Sequence, residues 1–128
     1  MSSTLAPLWQ MAGLLVVHWI GDFVLQSSWM AENKSDRLDA LIAHVITYSI
    51  TLAVGAGVIF GIARPGALVS FVIANALLHM AVDFTTSRIA ARFWRSGQWR
   101  AFFIVVGADQ LLHQICLALT LSMLIKQT

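Results

Sequence analysis

Four long apolar stretches dominate this chain, at roughly 7–28, 40–63, 66–88 and 100–125. Each is close to the ~20 residues a helix needs to cross about 30 Å of hydrocarbon. The spacers are polar: "SSWMAENKSDRLD", then "ARPG", then "SRIAARFWRSGQWR". In the second spacer, Arg64 and Pro65 predict a tight hairpin turn. The third reads as an amphipathic extension lying at the interface. No fixed-period repeat and no low-complexity linker divides the chain. The pattern predicts an all-α, four-helix transmembrane bundle, a single domain over 1–128, with a basic interfacial segment before the last helix.

Composition strengthens this reading. Hydrophobic residues make up 59% of the 128 positions and charged residues 11%, against about 25% charged in a soluble domain. Mean hydropathy is +0.79. So few polar residues cannot cover the surface of a soluble protein this size. The one cysteine, Cys116, excludes an intrachain disulfide and reads as a structural thiol. "MSSTLAPLWQ" has no Lys or Arg and no clear cleavage site, so no removed signal peptide is expected.

Charge placement sets an expected topology. Lys34, Arg37, Arg88, Arg92, Arg95 and Arg100 fall on one side, Arg64 and Lys126 on the other. The positive-inside rule makes the first side cytoplasmic, with both termini outside a bacterial inner membrane. Trp29, Trp94 and Trp99 then sit at the cytoplasmic headgroup level and Trp9 at the opposite one. Arg88, Arg92 and Arg95 share a helical face. That face suits an anchor on anionic phospholipid headgroups of the lipid bilayer. It also suits phosphate recognition, with Arg88 and Arg92 as substrate-binding residues. No nucleic-acid motif accompanies these cations, so no nucleic-acid partner is expected. A homo-oligomer is compatible with the chain.

The ionisable residues inside the apolar stretches carry the chemistry. Each predicted helix holds one histidine: His18, His44, His79 and His113. Three of them have an Asp four residues away: Asp22, Asp83 and Asp109. That spacing stacks both side chains on one helix face. Helices one and three read His then Asp, while helix four, running the other way, reads Asp then His. Asp22, His44, Asp83 and Asp109 therefore fall at one depth, and His18, Tyr48, His79 and His113 at the next. An Asp at mid-membrane costs roughly 3 kcal/mol on insertion scales, so all three should face inward and be paired.

Three roles fit such a constellation. Asp–His hydrogen bonds could join helices structurally, though such contacts contribute only about 0.6 kcal/mol each in membranes. The residues could form a proton- or metal-ion-conducting path in a small transporter. Or they could hold a divalent metal that activates water for hydrolysis of a lipid-linked or phosphoester substrate. The last weighs most. The expected metal ligands are His18, Asp22, His79, Asp83, Asp109 and His113, with His44 next; lacking an Asp partner, His44 could instead be a supporting donor. Zinc is the first choice of metal, with iron or manganese also suited. Asp22 is the candidate general base, and Tyr48 a candidate to orient a ligand or an oxyanion. Gln26, Gln110 and Gln114 read as interhelical hydrogen-bonders. Gly21, Gly55 and Gly57 read as points of close helix approach. Glu32 and Asp36 read as solvated loop charges.

The motifs "HWIGDFVLQSSWMAENK", "AHVITY", "LLHMAVDFTTSR" and "DQLLHQ" resemble a family of small bacterial and phage membrane proteins grouped as domain of unknown function 3307. The resemblance spans nearly the whole chain and implies no particular activity. More loosely, the His/Asp pattern looks like that of membrane-bound metal-dependent hydrolases related to zinc phospholipase C. That likeness extends to ligand type and helical placement and to no residue assignment.

Overall fold

Among the described residues, 2 to 125 of this computed structural model, all regular structure is helical. Lys126, assigned above to the outer side, lies outside them. In chain order the helices are α1 (Ser2–Trp19), α2 (Ser28–Asn33), α3 (Leu38–Phe60), α4 (Pro65–Arg95) and α5 (Trp99–Thr120). A π-helical turn, Ile20–Val24, continues α1, and a 3-10 turn, Leu121–Met123, continues α5. Three segments are long and apolar enough to cross a membrane: Leu38–Phe60, Pro65–Arg95 and Trp99–Met123. The α1 helix, which carries Gln10 and His18, is not among them.

The boundaries differ from the apolar pattern in four places. The first helix was expected to continue to 28. It ends instead in the π turn, where the Leu25 amide donates to the Ile20 carbonyl at 2.9 Å. The polar spacer that follows is not all loop. Ser27 caps α2, its Oγ accepting from the Met30 amide at 3.2 Å, and so meets a helix donor that has no intrahelical partner. The break between the second and third helices falls at 61–64, and Pro65 belongs to α4. Gly61 ends α3 with φ 77°, a left-handed conformation that favours glycine. Pro65 fits the first turn of α4 because no amide hydrogen is needed there. Finally, α4 runs on through the basic segment to Arg95, so the interfacial extension is a continuation of a membrane-length helix.

The α4 helix lies against both α5 and α3, α3 lies against α1, and α1 touches α5. Close approach of α1 and α3 depends on glycine. A Cβ on Gly55 would collide with the Val17 side chain, and one on Gly21 would stand 3.2 Å from the Tyr48 ring and 3.3 Å from Thr51.

The distribution of side chains is the inverse of a soluble domain's. Val58, Leu119 and Leu77 are exposed at 82%, 73% and 68%, while His18, Asp22, His44, His79, Asp83 and His113 are all buried. Outward faces are apolar along every long helix. The interior has two halves. Toward the α2 end it is polar. Beyond that layer, Leu14, Leu52, Ala56, Phe71 and Leu117 form a fully buried apolar core. Leu14 precedes His18 by one turn, Leu52 follows Tyr48 by one turn, and Leu117 follows His113 by one turn, so the two halves are stacked along the helices.

Candidate metal centre

Four long helices deliver the site one residue or pair at a time. Asp22 comes from the π turn after α1, His44 from α3, His79 and Asp83 from α4, and His113 from α5. The π turn is the local device on α1. Inserting the wider i→i+5 turn shifts the residues after it around the helix. Gly21 within it lets the turn lie close against Tyr48 and Thr51 of α3.

The ring nitrogens converge on two carboxylates. His44 Nε2 lies 3.0 Å from Asp22 Oδ1 and 3.1 Å from Asp83 Oδ2. His79 Nε2 lies 3.5 and 3.7 Å from the same two oxygens. The two nitrogens are 3.0 Å from each other. Four lone-pair atoms from three separate elements thus face one point, and only one of two imidazole nitrogens at that separation can carry the proton between them. A tetrahedral ion with bonds of 2.0–2.1 Å needs ligand atoms about 3.3 Å apart. The five distances, from 3.0 to 3.7 Å, bracket that value.

Asp83 extends the cluster with its second oxygen. His113 Nε2 is 2.9 Å from Asp83 Oδ1 and 3.4 Å from Asp109 Oδ1. Asp22, His79, Asp83 and His113 each offer one ligand atom within 4.8 Å of the others, so this buried group could hold a metal ion. His44 is not one of those four, yet its Nε2 is nearer to both carboxylates than that of His79.

A shell of neighbours fixes these side chains. Tyr48 stacks on the His79 ring at 3.8 Å between centroids, and His79 on His113 at 4.2 Å. His18 is held at both nitrogens, Nδ1 3.1 Å from the Tyr48 hydroxyl and Nε2 3.0 Å from Gln110 Oε1. The Gln110 amide donates to Asp22 Oδ2 at 2.7 Å and to Asp109 Oδ2 at 3.0 Å. Thr86 donates its hydroxyl to Asp109. Asp109 is less enclosed than the other carboxylates, at 15% exposure.

Of the residues singled out in the sequence, Asp22, His44, Asp83, His79 and His113 meet at the centre. Asp109 and His18 stand at its edge, His18 Nε2 3.6 Å from Asp22 Oδ2, and Tyr48 stands one turn away. His44 does have carboxylate partners, Asp22 and Asp83, both from other helices, which spacing within one helix cannot reveal. Arg88 lies over the Phe84 ring and donates to the Phe84 carbonyl at 2.8 Å, and Arg92 is exposed. Asn75 donates to the Phe71 carbonyl and to the Thr120 hydroxyl, both at 2.9 Å. The sequence pattern missed Lys34. Its ammonium is mostly buried and donates to Asp83 Oδ2 at 2.8 Å. The Ser27 cap of α2, which turns the chain back toward the site, was the signal for it.

Beside the cluster lies a cavity of about 550 Å³, whose lining includes polar Asp22, Lys34, Asp109 and Gln110 and apolar Phe23, Trp94, Phe102 and Val106. Arg88 and Arg92 do not line it. At the far end of the molecule a second cavity is lined by Pro7, Gln10 and Arg64, among others. No curated protein and no solved structure gives a match to this chain. The match that exists is to a family, over residues 11–128, most of the chain and every residue of the site, and the chain accordingly belongs to the family described as protein of unknown function (DUF3307).

Proposed function

We propose that this chain is an integral membrane protein folded as a four-helix bundle, and that its Asp/His centre binds a divalent metal used for hydrolysis of a phosphoester. The observation that carries the metal is the set of five distances among His44 Nε2, His79 Nε2, Asp22 Oδ1 and Asp83 Oδ2, all near the edge length of a tetrahedral site. Two buried carboxylates that share these imidazoles repel, and a cation between them would offset the repulsion. Imidazole and carboxylate together suit zinc, with iron or manganese also accommodated. The apolar outward faces, and tryptophans near both ends, support the membrane assignment. With the six cations clustered at the α2 end, that end is assigned to the cytoplasm of a bacterial inner membrane, with both termini outside. The exposed Arg92 and Arg95 would then rest among anionic phospholipid headgroups.

A metal held by these residues would supply an acidified water and an electrophile for the phosphoryl oxygen. The chain's own residues do the rest. Asp22 and Asp83 hold charge at the centre, and Tyr48 fixes the ring planes of His79 and His18. Asp109 takes the general-base role that the sequence pattern lent to Asp22. It lines the cavity, keeps some exposure, and is oriented by Thr86 and Gln110. A transport path is disfavoured by the apolar core of Leu14, Leu52, Phe71 and Leu117, which closes the polar interior on one side.

Turnover of p-nitrophenyl phosphoesters by zinc-loaded protein tests the reaction. Asp109→Asn should retain metal and lose about 10²–10⁴ in rate. Zinc-loaded, folded wild type that is inert toward both monoesters and diesters would remove the hydrolase from consideration.

A further inference from the structure

The cavity beside the metal centre has a use that the centre alone does not explain. Its lining is mixed in chemistry, with Lys34 and Asp109 next to the metal ligands and a hydrocarbon and aromatic wall from Trp94, Phe102 and Val106. It is open to the outside, and two of its lining residues, Phe23 and Trp94, are themselves 46% and 53% exposed. Its lining comes from the π turn and the residues just after it, from α2 and Lys34, and from α4 and α5. A water-soluble phosphoester would gain nothing from such a wall. Two lining residues, Gln26 and Ser87, also carry buried side-chain oxygens without a hydrogen-bond partner. The wall therefore holds polar capacity that the protein does not use itself.

We infer that this cavity binds a membrane lipid bearing a phosphoester headgroup, with the phosphate at Lys34 and Ser87 and the hydrocarbon chain along Trp94, Phe102 and Val106. The inference rests on the metal-dependent reading and names the substrate class for it. Lys34 is the cation available. Its partner oxygen, Asp83 Oδ2, also belongs to the four-atom metal set. An ion on that oxygen and an ammonium beside it are like charges, so metal loading frees Lys34 for an anionic head. The volume suits a ligand, since small-molecule sites span roughly 300–1,000 Å³. The mixed walls match an amphiphile, which would enter sideways from the bilayer and need not cross the apolar core.

Native mass spectrometry of the detergent-purified, zinc-loaded full chain tests this with three probes: dodecyl phosphate, dodecanol and inorganic phosphate. Dodecyl phosphate should bind at least about tenfold more tightly than either of the others, because only it engages both kinds of lining. Lys34→Met should weaken dodecyl phosphate by about tenfold and leave dodecanol unchanged. Val106→Trp and, from the opposite helix, Ala91→Phe should each block both alkyl probes by filling the cavity, with zinc content retained as the sign of an intact fold. Equal binding of dodecanol and dodecyl phosphate, or alkyl binding indifferent to both cavity-filling changes, would overturn the inference. Tightest binding of inorganic phosphate would point to a soluble substrate and overturn it too. Zinc content measured on the same samples keeps the two ideas separable. Zinc without lipid selectivity defeats this inference alone, and cavity-dependent lipid binding without zinc defeats the metal centre alone.

Discussion

The two halves of the interior are built from the same four helices, yet they solve different problems. In the half away from α2, Leu14, Leu52, Ala56, Phe71 and Leu117 meet with no exposed surface and no polar group to satisfy. In the half toward α2, four histidines and two aspartates occupy the same kind of buried position one or two turns away. Packing explains the first half completely. It does not explain the second, because lipid tails are as apolar as leucine and a polar core gains little from burial there. Helix cohesion can be had from Gly55 against Val17 and from the leucine layer. The polar half contains a buried group that could hold a metal ion.

The contrast can be broken by substitution. The largest effect should come from Asp83→Ala. It leaves His44, His79, His113 and Lys34 facing one another without their shared carboxylate. Breaking a buried ion pair in this way typically costs about 3–5 kcal/mol. Denaturation in detergent should show that loss, and elemental analysis should show the loss of bound metal. Leu52→Ala should cost roughly 2 kcal/mol, because only the cavity contributes when both states are surrounded by hydrocarbon. Its metal content should equal wild type's, since Leu52 belongs to the apolar cluster and supplies none of the four converging atoms. Gln110→Ala sharpens the comparison within the polar half. The amide orients Asp22 and Asp109 without itself belonging to the four-atom set, so zinc affinity should fall roughly 10–100-fold in a competitive chelator titration. The smallest effect should follow Arg88→Gln with Arg92→Gln. Neither lines the cavity, and zinc content and dodecyl phosphate binding should both stay at wild-type values.

What the sequence reveals and what it hides follow the same division between local and long-range geometry. The His–Asp spacing of four is a property of one helix, so it marked Asp22, Asp83 and Asp109 and placed them at one depth. The charge count placed the basic loops at one end, and the Arg95–Asp36 ion pair at 2.6 Å does join the end of α4 to the chain just before α3. His44 was harder, because its carboxylates come from other helices. The π turn was hidden because it depends on Gly21 seating against α3. Lys34 was hidden because a loop lysine reaches the core only when a short helix turns the chain back, and α2 rests on the single Ser27 cap. The seating of Gly55 against Val17 was legible, whereas a Cβ on Gly57 would meet only ordinary contacts.

One measurement decides most directly whether the polar half is a metal centre: zinc content of detergent-purified protein after loading and exhaustive dialysis, for wild type, His44→Ala and His18→Ala. Wild type should hold about one ion per chain. His44→Ala, which removes one of the four converging atoms, should lose it, while His18→Ala, at the edge of the centre and bound to Tyr48 and Gln110, should keep it. A folded wild type that remains metal-free, or a His44→Ala variant that retains the ion, would contradict the assignment.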